Sequence, residues 1–148
     1  MRELIIRNTK INDESDCYVI AEIGHNHQGS LEKAKQLFVA AKKAGVNAVK
    51  LQKRDNKTLF TKEVYNKPYD NPNSFGITYG EHREFLEFGW DEYTELKRFA
   101  TELDLDFFAT AFDILSADFL AKLDVPAFKI ASGDIKSIPL LKHVARYG

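Results

Sequence analysis

Tyr18-Val-Ile-Ala-Glu-Ile-Gly24 is the stretch on which the fold turns. It is almost continuously apolar, which suits a strand buried on both faces rather than one with a wet side. A polar turn, His25-Asn-His-Gln-Gly29, follows. Ser30 comes next, and its hydroxyl can accept from the unpaired N–H groups of a helix start. The helix it opens carries Leu31, Ala34, Leu37, Phe38 and Ala41 on one face, and Gly45 marks its end. A buried strand followed directly by an amphipathic helix is the repeating unit of a parallel α/β sheet.

Working outward, the unit recurs. A second strand runs from Asn47 to Gln52. A long polar segment from Lys53 to Gly89 follows, with Pro68, Pro72, Gly76 and Gly80 scattered through it. A loop of that length is expected to be an active-site lid or disordered. Asp91 is then expected to cap a helix with Tyr93, Leu96, Ala100 and Leu103 facing inward. Asp106-Phe-Phe-Ala-Thr-Ala-Phe112 reads as the third strand, with Ser116 capping a helix that ends before Pro126. Ala127-Phe-Lys-Ile-Ala131 is the fourth strand, and Ser137 with Pro139 opens a last helix.

The sheet could be open and doubly wound, or part of a closed barrel. Neither G-x-G-x-x-G nor G-x-x-x-x-G-K occurs. Instead, polar residues stand at the C-terminal ends of all four strands: Glu22, Lys50 with Gln52, Thr110, and Lys129 with Ser132. In a (β/α)8 barrel those ends converge on one mouth, where the chemistry sits. The barrel is therefore favoured. Eight units need about 250 residues, whereas the chain has 148, so residues 1–148 are expected to be the first four units of such a barrel.

Composition narrows the partners. The net charge is −1 and the basic residues are interspersed with acidic ones, which gives no electrostatic case for nucleic acid or an anionic membrane. The N-terminus carries a short apolar run without a small-residue cleavage site, so neither a signal peptide nor a membrane span is expected, and the cytoplasm is the expected location. Cys17 is the single cysteine, which excludes an intrachain disulfide and a cysteine zinc site.

Lys50 and Lys129 each lie within an otherwise apolar strand, where an unpaired ammonium is costly to bury. Two cations facing one cavity imply an anion such as a phosphate or carboxylate. The competing reading is that each simply forms a salt bridge, perhaps with Glu22. Thr110 and Ser132 add hydroxyl donors at a similar height, and Ser132-Gly133-Asp134 leads toward a helix, whose N–H groups could also face an anion. Glu22 could orient a sugar hydroxyl, act as an acid/base group, or be only the counter-ion of Lys50. His25 and His27 sit in a turn that scrambles metal geometry, so hydrogen bonding through Asn26 or His27 is expected rather than metal binding. Thr78-Tyr-Gly-Glu-His-Arg83 has the character of a lid over a polyhydroxylated substrate.

Ala21-Glu-Ile-Gly-His-Asn-His-Gln-Gly-Ser30, Val49-Lys-Leu-Gln52 and Phe128-Lys-Ile-Ala-Ser-Gly-Asp134 together resemble the N-acetylneuraminate (sialic acid) synthase family. Asn66-Lys-Pro-Tyr69, Thr78-Tyr-Gly-Glu-His82 and Leu86-Glu-Phe88 resemble its animal-type branch. The resemblance implies a (β/α)8 barrel followed by a small antifreeze-like domain, working as a homodimer. It implies condensation of phosphoenolpyruvate with N-acetylmannosamine or its 6-phosphate, releasing phosphate. It also implies a divalent metal, Mn2+ or Mg2+, with ligands expected outside this chain, and a chain inactive on its own. Lys50 and Lys129 would hold phosphoenolpyruvate, with Thr110 and Ser132 donating to its phosphate. Glu22 would sit beside the reacting carbons. Gln52, Asn26 and Tyr79 would contact the substrates, and Asp134 would match an acidic residue after the Ser-Gly pair. The rival readings are a related synthase of pseudaminic or legionaminic acid, a Schiff-base aldolase using Lys129, and a non-catalytic half-barrel that binds anions or assembles with a partner.

Overall fold

The computed structural model describes residues 2–147. Its centre is a four-stranded parallel sheet made of β3 (Ile20–Gly24), β4 (Ala48–Lys53), β5 (Asp106–Ala111) and β6 (Phe128–Ile130), side by side in chain order. The helices α1 (Leu31–Lys43), α5 (Trp90–Glu102), α6 (Ile114–Lys122) and α7 (Ile138–Val144) alternate with these strands.

Strand alternation decides the architecture. Val49 and Leu51 of β4, and Phe107, Ala109 and Ala111 of β5, form one core with Phe38 of α1, Tyr93 and Leu96 of α5, Leu120 of α6 and Leu140 of α7. The helices thus cover a single face. A doubly wound sheet instead carries helices on both faces and reverses its strand order at a switch point. One-sided cover with sequential order is the wall of a (β/α) barrel, and the opposite, inner face holds Glu22, Lys50, Gln52, Phe108, Thr110 and Lys129. Register fixes them in two rows, Glu22↔Lys50↔Phe108 and Gln52↔Thr110↔Lys129.

An antiparallel hairpin, β1 (Glu3–Ile6) with β2 (Thr9–Asn12), precedes the sheet. Nothing in the sequence reading anticipated it. It is moored where β5 begins: Arg7 pairs with Asp106 at 3.0 Å, and the Tyr18 hydroxyl donates to the same carboxylate at 2.5 Å. Burial and that carboxylate push the Tyr18 hydroxyl pKa well up.

Two expected caps are corrected. The helix expected to begin at Asp91 starts at Trp90, with Gly89 as cap and Glu92 accepting the Gly89 N–H at 2.9 Å. The helix expected to be capped by Ser116 is capped by Asp113, which accepts from the Ser116 N–H at 2.7 Å and the Ser116 hydroxyl at 2.8 Å. The long polar segment is also ordered rather than a bare loop. It contains α2 (Asn56–Leu59), α3 (Lys62–Tyr65) and α4 (Tyr79–Leu86), capped by Asp55, Thr61 and Thr78. Thr78 and Glu81 form a reciprocal capping box. Rings bind the segment together: Tyr79 meets Phe60 and Tyr69, and Phe75 stacks on Phe85.

Candidate active site

The site is built on the inner face, where β3, β4 and β5 end. The Lys50 ammonium is buried, at 6% exposure. It donates to the Thr110 hydroxyl at 2.9 Å and forms an ion pair with Glu22. An ammonium has three N–H donors, so one remains for a ligand, and the Thr110 hydroxyl still has its own proton to donate. The Glu22 side chain is 49% exposed, which leaves its carboxylate open to the mouth. The salt-bridge reading is thus realised for Lys50, with the group still able to take an anion.

Gly24 closes this floor. Its φ of +54° lies in the left-handed region. A Cβ there would stand 3.3 Å from Glu22 Oε1 and 3.5 Å from Gln52 Nε2, so a side chain at this position would crowd both groups. The Gln52 carbonyl oxygen accepts from Arg54 Nη2 at 2.8 Å, and its backbone oxygen accepts from the buried Tyr93 hydroxyl at 3.1 Å.

Lys129 lies on the same face in register with Thr110, but it does not join Lys50. Its side chain is exposed, and Nζ donates to the Ile130 carbonyl at 2.5 Å. Ser132 and Asp134 form a single 3-10 turn beyond the strand. Because Lys129, not Ser132, is level with Thr110, the expected equal height of Ser132 is corrected. The Asp134 N–H is already spent on the Ala131 carbonyl at 3.0 Å.

In the turn after β3 the two expected hydrogen-bonding residues divide. His27 is buried, stacks on Phe88 with centroids 4.1 Å apart, and accepts the Gly29 N–H at 3.1 Å. Burial, then the neighbouring His25, lowers its pKa to about 4. Asn26 is exposed at the mouth. Tyr79, expected to touch substrate, lies in the segment between β4 and α5, where its hydroxyl accepts from Arg83 Nε at 3.0 Å. Among the described residues no three His, Cys, Asp or Glu side chains are grouped to hold a metal ion, so they do not build a metal centre, and no step is assigned to one.

The sequence reading missed Arg54. It follows directly after β4, donates to the Gln52 side chain and lies over the Phe112 ring at 3.7 Å. Its i, i+2, i+4 spacing from Lys50 and Gln52 was the signal that could have found it.

Residues 37–148 match the NeuB family. The chain is 48% identical over 128 residues to the N-acetylneuraminate-9-phosphate synthase of Drosophila melanogaster, covering 86% of this chain and 34% of that one. It is 41% identical to the Homo sapiens protein of the same name, with 93% and 38% covered. It is 39% identical to the N,N'-diacetyllegionaminic acid synthase of Legionella pneumophila, with 93% and 41% covered. The crystal structure of an N-acetylneuraminic acid (sialic acid) synthetase from Leptospira borgpetersenii, in complex with citrate, superposes with a TM-score of 0.81 at 30% identity, covering 99% of this chain and 47% of that one. The chain therefore spans between a third and a half of the length of these relatives. No helix among the described residues is long and apolar enough to cross a membrane. The matched residues, the one-sided parallel sheet and the polar strand ends agree, and the chain belongs to the NeuB family.

Proposed function

We propose that this chain forms the phosphoenolpyruvate-binding part of the mouth of a synthase that condenses phosphoenolpyruvate with N-acetylmannosamine or its 6-phosphate. One observation carries the reading: Lys50, buried on the inner face, is held by Glu22 and Thr110 with a donor to spare. The names of the relatives and the citrate bound to the Leptospira protein support it.

In this reading Lys50 and the Thr110 hydroxyl bind the phosphate or carboxylate, and Lys129 of β6 and the Ser132 hydroxyl of the turn after it close over it. Their fixed positions replace the water shell of the anion and hold C3 against the aldehyde carbon. A C–C bond forms there, water adds at C2, and phosphate leaves. Glu22 orients the acceptor hydroxyl or moves its proton, and Gln52, Asn26, Tyr79 and Asp134 line the acceptor side.

Any divalent metal is ligated outside this chain. The rest of the barrel, an antifreeze-like domain and a second protomer complete the cytoplasmic enzyme, so the 148 residues alone give no turnover. A legionaminic acid synthase is the second reading, favoured by the Legionella relative.

Calorimetric titration of phosphoenolpyruvate into this chain, beside Lys50→Ala and Lys129→Ala, tests the proposal. Saturable binding weakened about tenfold or more by Lys50→Ala is expected, since charge-assisted hydrogen bonds are worth roughly 1.5–3 kcal/mol. Equal binding by both variants and the parent would overturn it, and steady product from the pure chain would overturn the partial-barrel part.

A further inference from the structure

Arg54 is held at three points. Its backbone N–H donates to Glu87 Oε2 at 3.3 Å, its guanidinium lies over the Phe112 ring at 3.7 Å, and its Nη2 donates to the side-chain oxygen of Gln52 at 2.8 Å. The anchor is fixed in turn, because the buried Glu87 carboxylate takes the Lys53 ammonium at 3.2 Å on the same oxygen. These contacts tie the end of β4 to the connection between α4 and α5 and to the residue after β5, so the guanidinium has a set position at the rim. Arg54 Nη1 is buried without a hydrogen-bond partner. Packing on Phe112 alone does not require that cost, since an aliphatic side chain would pack there without it.

The consequence falls on Gln52. An amide side chain carries a carbonyl oxygen on one side and two N–H donors on the other, and a half-turn of its last torsion exchanges them. A guanidinium has donors only. It therefore admits one orientation, with the amide oxygen toward Arg54 and the nitrogen away. That nitrogen stands on the side of Gly24, where an added Cβ would lie 3.5 Å from it and 3.3 Å from Glu22 Oε1. Both oxygens of Gln52 are engaged, by Arg54 and by the Tyr93 hydroxyl, while its side-chain nitrogen makes no hydrogen bond among the described residues. A hydroxyl adapts to either face of an amide because it both donates and accepts, whereas a carbonyl only accepts. An amide locked as a donor thus discriminates in favour of a carbonyl.

We propose that Arg54 is a positioning residue that sets acceptor specificity: it holds the Gln52 amide with its N–H donors facing the carbonyl oxygen of the sugar's N-acetyl group. This deepens the proposed function and rests on its placing of the acceptor beside Gln52. Arg54 itself does not touch the sugar. Without it the amide is free to turn, and the selection of an N-acetylated sugar over one with a hydroxyl at the same carbon is lost.

The test measures calorimetric binding of N-acetylmannosamine and of mannose to this chain and to Arg54→Met and Arg54→Lys, with circular dichroism to verify folding. The parent is expected to prefer the N-acetylated sugar by about fivefold or more. Arg54→Met keeps the length but has no donor, and should lose most of that preference. Arg54→Lys should restore it in part, because an ammonium also only donates. A preference that survives in Arg54→Met, or an equal loss for both sugars, would overturn the proposal, the second outcome meaning that Arg54 only supports the rim. The side-chain amide resonances of Gln52 give a readout on the parent alone. They should shift on adding N-acetylmannosamine, and an absence of shift or of sugar binding would also overturn it. The proposed function fails separately, if phosphoenolpyruvate does not bind, because this comparison does not use it.

Discussion

The Lys50 ammonium and the Thr110 hydroxyl meet at 2.9 Å across neighbouring strands, although 60 positions separate them in the chain. The contact is buried, so it is both a structural bond and a preset donor pair facing the mouth. Replacing Thr110 by Val keeps the volume and removes the oxygen. Phosphoenolpyruvate binding is expected to weaken about fivefold to tenfold in calorimetry. The fold should persist, because Lys50 retains Glu22. Unchanged affinity would show that Thr110 serves packing alone.

Gly29 packs the β3–α1 turn against Phe85 of α4. Its φ is +71°, and a Cβ there would stand 2.5 Å from the backbone oxygen of Phe85. Gly29→Ala combines a left-handed backbone penalty with overpacking. It should cost about 2–4 kcal/mol in denaturant unfolding. Hydrogen exchange should increase across α4 before it increases in β4 or β5.

His27 sets an acid limit. Its folded pKa, near 4, lies below the ordinary value of 6.5, so the unfolded chain binds the proton more readily. Stability from this residue is complete above about pH 6.5 and falls as the pH drops toward 4, below which it changes no further. His27→Asn preserves an acceptor for the Gly29 N–H but cannot titrate. The parent should lose melting temperature relative to this variant across that window, and parallel curves would refute the assignment.

Asp113 holds two connections at once. It caps α6 through Ser116 and also accepts the Asp55 N–H at 2.8 Å. Asp113→Ala is expected to lose about 1–2 kcal/mol from the cap, with added mobility at α2. Ser116→Ala should lose less, because it leaves the cap acceptor in place.

How much of this was legible follows from the range of each interaction. The Ser30 cap and the Ser137–Pro139 start are local patterns, and both reappear in the fold. The run Tyr18–Gly24 yields a shorter strand, Ile20–Gly24, buried only at Ile23 and Gly24 rather than on both faces, because it lies at the edge of the four-stranded sheet. The choice between Asp113 and Ser116 was not local in that sense. Both are cap-forming types three residues apart, and the Asp55 contact adds a partner from another connection. The helices between Lys53 and Gly89 were missed because α2 and α3 have four residues each and α4 eight, too few to display a period. Their stability comes from caps and from ring contacts such as Tyr69 with Tyr79. The hairpin was missed because it depends on Asp106, far along the chain.

The amino-acid sequence by itself determined the strand–helix alternation, the polar ends of the strands, and that Lys50 and Gln52 share a face, because the two-residue period of a strand needs no tertiary information. Only the tertiary structure decided that Lys50 is paired with Glu22 and Thr110 while Lys129 is not, and that Ser132 lies beyond them. Those outcomes depend on strand register and on burial by segments distant in the chain. No local pattern encodes which of two similar cations will find the carboxylate.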